Sequence, residues 1–122
     1  MSNRKNGIIN MKTITRIEDY MNKIKSPCII IFGSPELCPP CLSLQKYITS
    51  IYSHEENIYE INMESNEFET IILNNDIYIM PTITYYISSR EQLQHRIEGF
   101  NKDKVDKLIK LYNEDKKKYT TK

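Results

Sequence analysis

Two cysteines separated by two prolines are the residues of this chain with the clearest capacity for chemistry. They form the segment Cys38-Pro39-Pro40-Cys41. A cysteine at the start of a helix faces the helix dipole and the free N–H groups of the first turn, and both favour the thiolate. One helical turn brings the two sulfur atoms together, so a disulfide closes without a change of fold. The pair therefore predicts thiol–disulfide exchange, with Cys38 as the exposed attacking thiol and Cys41 as the resolving thiol beneath the first turn.

The two prolines limit which groups can hydrogen-bond to the Cys38 sulfur. Proline is favoured at the first positions of a helix, where its missing N–H would be unpaired in any case. Because Pro39 and Pro40 carry no N–H, a donor must come from further into the helix, and the N–H of Cys41 is the nearest candidate. The prolines also stiffen the loop, which favours a preformed disulfide geometry.

The same pair could instead be half of a zinc site. Such a site needs four ligands, and Cys28 with either His54 or His95 would complete it. The sequence contains neither a second C-x-x-C nor an H-x-x-x-H motif. Cys28 lies in an apolar run, where a free cysteine behaves as a small core residue. We therefore predict no bound metal, a buried Cys28 and two surface histidines.

Length, charge and hydropathy exclude several other classes of protein. The chain has 122 residues, enough for one domain, and its 17 basic and 16 acidic residues give a formal net charge of +1. No long-range field therefore attracts nucleic acid or an anionic membrane. The longest apolar run, residues 28–32, is far shorter than the roughly 20 residues of a membrane span. Residues 1–10 lack the hydrophobic centre of a secretory signal, so we expect a cytoplasmic protein. We also expect it to be a monomer.

The predicted elements place the cysteine pair between a strand and a helix. Residues 28–32 are apolar and mostly β-branched, which is typical of a central strand buried on both faces. Residues 33–37 form a loop, and a helix runs from Cys41 to about Ser53. The remaining elements are strands at 12–15, 58–63, 82–87 and 93–98, helices at 17–24 and about 68–74, and a last helix after Asn101.

This order, β-α-β-α-β-α-β-β-α, predicts an α/β fold with a central mixed sheet flanked by helices. We expect a flexible extension at residues 1–10, one domain at residues 11–117 and a flexible tail at residues 118–122.

The chain resembles the thioredoxin-like family from about Met11 to Lys116. The Cys38–Cys41 motif lies between a strand and a helix, Met80-Pro81-Thr82 follows about forty residues later, and Gly99 precedes the last helix. The resemblance implies a thioredoxin fold and an oxidoreductase that acts on protein disulfides without a cofactor beyond its own dithiol. It also implies an electron donor of the thioredoxin-reductase type. Pro81 is expected to be cis, and Met80, Pro81 and Thr82 are expected to position an extended substrate.

The chain departs from the family pattern around the cysteine pair. Leu37 stands where the family commonly has Trp, and Ile31 and Phe32 occupy the region of its buried Asp. Glu60, on the neighbouring strand, could serve in proton transfer to and from Cys41 if it points toward the active-site side. A solvent-exposed strand Glu60 is the alternative.

The Pro39-Pro40 dipeptide also departs from the Gly-Pro of general thioredoxins. It resembles the motif of thioredoxin-like proteins dedicated to particular disulfides. With Leu37 and Glu60, the two prolines make up the expected support of the active site. The competing function is a binding module that uses the groove of the same fold without turnover.

Overall fold

The computed structural model describes residues 11–34 and 36–120. The predicted extension at residues 1–10 and the final residues 121–122 lie outside the described residues. Within the described part, the strands are β1 (Lys12–Thr13), β2 (Cys28–Gly33), β3 (Ile58–Asn62), β4 (Thr82–Ile87), β5 (Arg90–Glu91) and β6 (Ile97–Glu98). The α-helices are α1 (Ile17–Lys23), α2 (Pro39–Ile51), α3 (Glu69–Asn74) and α4 (Lys102–Thr120), with 3-10 turns at Asn66–Phe68 and Leu93–His95.

The strands form one mixed sheet with β2 at its centre. The order is β1-β3-β2-β4-β5, and β6 also pairs with β4. Strand β2 runs parallel to β3, with Ile31 opposite Glu60, and antiparallel to β4, with Ile31 opposite Ile83. All six residues of β2 are buried. The predicted mixed α/β sheet and its central strand are therefore confirmed.

Helices cover both faces of the sheet. Successive side chains of β2 point to opposite faces, so each face contributes to a separate apolar layer. Ile30 and Phe32 pack with residues of α1 and the segment around α3, including Tyr20, Phe68 and Ile71. Ile29 and Ile31 pack with residues of α2 and α4, including Leu44, Ile48, Val105 and Leu108. The end of β2 that precedes the cysteine pair is thus held between two apolar layers.

The ends of several elements differ from those predicted. Of the strand expected over residues 93–98, only β6 is extended, because residues 93–95 form a 3-10 turn that brings Arg96 onto Glu91. Strand β5 lies before that range. The strand expected over residues 12–15 has only two residues, and α2 ends at Ile51.

Helix α4 continues to Thr120, beyond the domain boundary predicted at residue 117. Lysines in the last turn interact favourably with the negative end of the helix dipole. The ammonium of Lys116 also lies 5.0 Å from the ring centroid of Tyr112. Across residues 11–34 and 36–120, no helix is long and apolar enough to cross a membrane.

Two predicted boundaries near the last helix are confirmed. Strand β6 ends at Glu98, and Gly99 has a φ of +86°, a left-handed conformation that favours glycine. Asn101 caps α4, since its side-chain oxygen accepts a hydrogen bond from the N–H of Lys104 at 3.0 Å. The chain therefore passes from β6 into α4 through residues 99–101. Strand β6 pairs with β4, the strand that follows Pro81.

Candidate active site

The cysteine pair lies at the start of α2, just after the loop that follows β2. Cys38 is the N-cap of α2, and Pro39 and Pro40 occupy the first two helical positions. Cys38 and Cys41 are joined by a disulfide, with their Cα atoms 5.2 Å apart. The N–H of Cys41 donates to the Cys38 sulfur at 3.2 Å. The predicted helix start, the disulfide and the source of this hydrogen bond are all confirmed.

The two cysteines differ in accessibility, although both are buried. Cys38 is 7% exposed and Cys41 is 1% exposed. The predicted order of accessibility is confirmed, but the expectation of an exposed Cys38 is wrong for the disulfide form. The extended N-cap conformation and the bond to Cys41 turn the Cys38 side chain against the first helical turn.

Gly33, the last residue of β2, lies against the sulfur of Cys41. A methyl group on the Gly33 Cα would be 3.0 Å from Cys41 Sγ and 3.8 Å from the Cβ of Pro81. The N–H of Ser34 donates to Cys41 Sγ at 3.4 Å. The strand end, the second cysteine and the proline loop thus meet at one point. Sequence reasoning treated Gly33 only as the start of a loop.

The loop before β4 completes this side of the site. The Met80–Pro81 peptide bond is cis, as the family resemblance implied. The carbonyl of Pro81 accepts the N–H of Gly99 at 2.7 Å, which ties the loop to the end of β6. Thr82 is fully buried and its hydroxyl donates to the carbonyl of Ile79 at 2.6 Å. The Thr82 side chain therefore supports the loop from within, and its contact with substrate stays a prediction.

Comparison with solved structures identifies the architecture. Oxidised mitochondrial thioredoxin 3 from Saccharomyces cerevisiae superposes with a TM-score of 0.68 at 21% identity, over 82% of this chain and 93% of that protein. Oxidised thioredoxin O1 from Arabidopsis thaliana superposes with a TM-score of 0.70 at 14% identity, over 84% and 97%. This chain has the thioredoxin fold.

Sequence comparison agrees with this thioredoxin fold. A curated thioredoxin from Ophiophagus hannah is 22% identical over 99 residues, which cover 81% of this chain and 92% of that protein. No family model matches the sequence. Plasmodium falciparum thioredoxin superposes with a TM-score of 0.69 at 20% identity, over 84% of this chain and 99% of that protein. The fold resemblance therefore extends over nearly the whole length of these relatives.

In this thioredoxin fold, Glu60 lies inside the protein beside the start of α2. Its side chain is on the β3 residue opposite Ile31, and it is only 3% exposed. Gln45, one helical turn after Cys41, donates to its Oε1 at 3.5 Å. Burial raises the pKa of the Glu60 carboxyl to about 7. The alternative of a solvent-exposed strand glutamate is therefore wrong.

Gln45 is a site residue that sequence reasoning missed. Its position four residues after Cys41 places both side chains on one face of α2, which was an available signal.

Two loops at the site carry exposed apolar side chains. Leu37, in the position of the family's Trp, is 69% exposed beside Cys38, and Ile79 is 44% exposed before Pro81. Each of these two loops thus exposes an apolar side chain.

The candidate zinc ligands are not brought together. Cys28 is buried at the opposite end of β2 from Gly33, and burial raises the pKa of its thiol to about 12. His54 lies beside Glu55, and His95 stacks on the ring of Tyr85 at 5.9 Å. No group of three His, Cys, Asp or Glu side chains in the described part of the chain could hold a metal ion. The buried Cys28 is confirmed, and a thiol of such high pKa is unreactive.

Proposed function

We propose that this protein is a thiol–disulfide oxidoreductase that exchanges disulfides with protein substrates through the Cys38/Cys41 couple. The observation that carries the proposal is the Cys38–Cys41 disulfide at the N-terminus of α2, beside the cis Met80–Pro81 bond. The curated and structural relatives are thioredoxins, which supports the same chemistry. The dithiol itself carries the two electrons, so the proposed reaction needs no separate cofactor.

The reaction proceeds in two exchanges. In the reduced protein, the Cys38 thiolate attacks one sulfur of a substrate disulfide, and the other substrate sulfur leaves as a thiolate that takes up a proton. The Cys41 thiolate then attacks the Cys38 sulfur. This forms the Cys38–Cys41 disulfide and releases the second substrate thiolate. Two electrons thus pass from the dithiol to the substrate.

The first exchange is favoured by the start of α2. The N–H of Cys41 donates to the Cys38 sulfur, and hydrogen bonding to a thiolate lowers its pKa. The positive end of the helix dipole acts in the same direction. Pro39 and Pro40 have no N–H to donate, so the N–H of Cys41 orients the Cys38 sulfur.

Substrate binding is proposed along the loop before β4. The Met80 backbone would pair with an extended substrate segment beside Pro81, and the exposed side chains of Leu37 and Ile79 would contact apolar substrate residues.

We infer that the active protein is a monomer that accepts electrons from a thioredoxin-reductase-type donor. One structural relative is described with yeast mitochondrial 1-Cys peroxiredoxin and the glutathione/thioredoxin systems. A cytoplasmic location stays a prediction.

The proposal is tested by insulin reduction with a chemical reductant. The wild-type protein is expected to precipitate insulin faster than the reductant alone, because Cys38 attacks the insulin disulfides. Cys38→Ser is expected to return the rate to that of the reductant. Cys28→Ser is the matched control and should retain activity, since its thiol is buried far from the pair. A wild-type rate equal to that of the reductant would instead favour a binding module without turnover.

We further propose that Glu60 accepts the proton of the Cys41 thiol before the second exchange. The carboxyl lies under the first turns of α2, and its raised pKa leaves it partly ionised near neutral pH. A group of this kind is suited to general base catalysis at pH 7. In the wild-type protein the second exchange should accelerate as pH rises through about 7, and Glu60→Gln should remove that rise. Exposed Glu64→Gln is the control.

The raised pKa of Glu60 also predicts how stability depends on pH. Between the ordinary carboxyl pKa near 4.5 and the folded value of about 7, the native state binds more protons than the unfolded state. Stability therefore falls as pH rises across this window, by about 3 kcal/mol for a shift of this size. Urea unfolding should show this fall for the wild-type protein relative to Glu60→Gln. Parallel pH profiles for the two proteins would contradict a perturbed carboxyl.

A further inference from the structure

We propose that Gly33 and the N–H of Ser34 form the support of the resolving sulfur, so that Gly33 is a positioning residue for the second exchange. The inference rests on the proposed function and adds a residue to it. Gly33 acts by having no side chain, which lets the Cys41 sulfur lie against the end of β2. Ser34 acts through its backbone, which donates a hydrogen bond to that sulfur.

A larger residue at position 33 would crowd the Cys41 sulfur. A Cβ added there would stand 3.0 Å from Cys41 Sγ, closer than carbon and sulfur normally approach, but 3.5 Å from Cys41 Cβ, an ordinary contact. The backbone cannot retreat easily, because Gly33 pairs with Asn62 of β3, its carbonyl accepts the N–H of Met63 at 2.8 Å, and the preceding Phe32 is paired on both sides. The sulfur of Cys41 is therefore the atom that must move.

The position of this sulfur matters only in the second exchange. There the Cys41 thiolate forms a bond to the Cys38 sulfur, while the bond between Cys38 and the substrate breaks and the substrate leaves as a thiolate. The Ser34 N–H faces Cys41 and not Cys38, so it stabilises the attacking thiolate of this step. The first exchange, in which Cys38 attacks, makes no use of either group.

The test uses reduced protein and dithiobis(nitrobenzoate), an aromatic disulfide that releases one coloured thiolate at each exchange. Gly33→Ala is expected to leave the first release unchanged. It should slow the second by about tenfold, because displacing a reacting atom by a fraction of an ångström is costly. Ile29→Val, a one-methyl change in the same strand, should alter neither phase. A wild-type protein that releases no thiolate would count against the proposed function itself.

Two kinetic outcomes would overturn the inference: an unchanged second phase in Gly33→Ala, or equal slowing of both phases. A second readout is the pKa of Cys41 in a Cys38→Ser background, measured by the pH dependence of alkylation with the modified cysteine identified by mass. Gly33→Ala should raise this pKa, because the sulfur moves away from the Ser34 N–H. A general loss of packing would lower this pKa, because water would reach the buried thiol. An unaltered or lowered pKa would therefore contradict the proposed support.

A double-mutant cycle of Gly33→Ala and Cys41→Ala, measured by thermal unfolding, tests the inference even if Gly33→Ala folds poorly. Under reducing conditions, Gly33→Ala should lower the unfolding temperature when Cys41 is present. In Cys41→Ala the sulfur is gone, and the same substitution should leave the temperature unchanged or raise it, because alanine restricts the unfolded chain. Equal losses in the two backgrounds would show that the methyl group collides with something other than the sulfur, and the inference would fail.

Discussion

Reduced Cys41→Ser protein is expected to stop after the first exchange and to accumulate as a covalent adduct with its substrates. Cys38 still attacks a substrate disulfide, since its hydrogen bond comes from the backbone N–H at position 41, which serine retains. The serine hydroxyl is too weak a nucleophile to release the substrate from Cys38. Incubation with cell extract followed by non-reducing electrophoresis should therefore show adducts that disappear on reduction.

The control for this experiment is Cys38→Ser/Cys41→Ser, which has the same buried Cys28 and lacks the attacking thiol. It should form no adduct. Adducts of equal yield in the double variant would show that Cys28 or non-specific exchange is responsible. Absence of adducts from Cys41→Ser itself would argue against a protein substrate, and mass spectrometry of recovered adducts would name the substrates.

Arg96→Ala is expected to destabilise the fold more than any other single change discussed above, by about 3–5 kcal/mol. The side chains of Arg96 and Glu91 are only 9% and 10% exposed, and two guanidinium nitrogens contact the carboxylate at 2.7 and 2.9 Å. The same guanidinium donates to the carbonyls of Asn75 and Asp76. Alanine would leave the Glu91 charge buried without its partner. Urea unfolding measures the loss.

Arg90→Ala is the matched control for that measurement. Arg90 lies in the same hairpin but is exposed, so its loss should change stability by less than about 0.5 kcal/mol. Arg96→Lys keeps the charge but lacks the planar fork, and it should fall between the two. An Arg96→Ala protein that unfolded with the wild-type midpoint would show that neither the pair with Glu91 nor the bonds to Asn75 and Asp76 stabilise the fold.

Much of the fold follows from patterns that are local in the chain. The continuous apolar residues of β2 predicted a central strand, since a strand covered on both faces needs no polar side. The boundaries at Gly99 and Asn101 follow from backbone conformation and capping, which depend on the residue itself and its near neighbours. The division of the last hairpin could not be predicted, because it depends on Arg96 reaching residues about twenty positions away.

The amino-acid sequence alone determined the chemistry of the cysteine pair. The helix start, the disulfide and the donor to Cys38 all follow from four consecutive residues, because an N-cap and one helical turn are set by near neighbours. Only the tertiary structure decided the surroundings of Cys41. The burial of Glu60, the closeness of Gly33 and the inward hydroxyl of Thr82 depend on strand register and on which helix covers which face. Those are contacts between residues distant in sequence, and local spacing does not encode them.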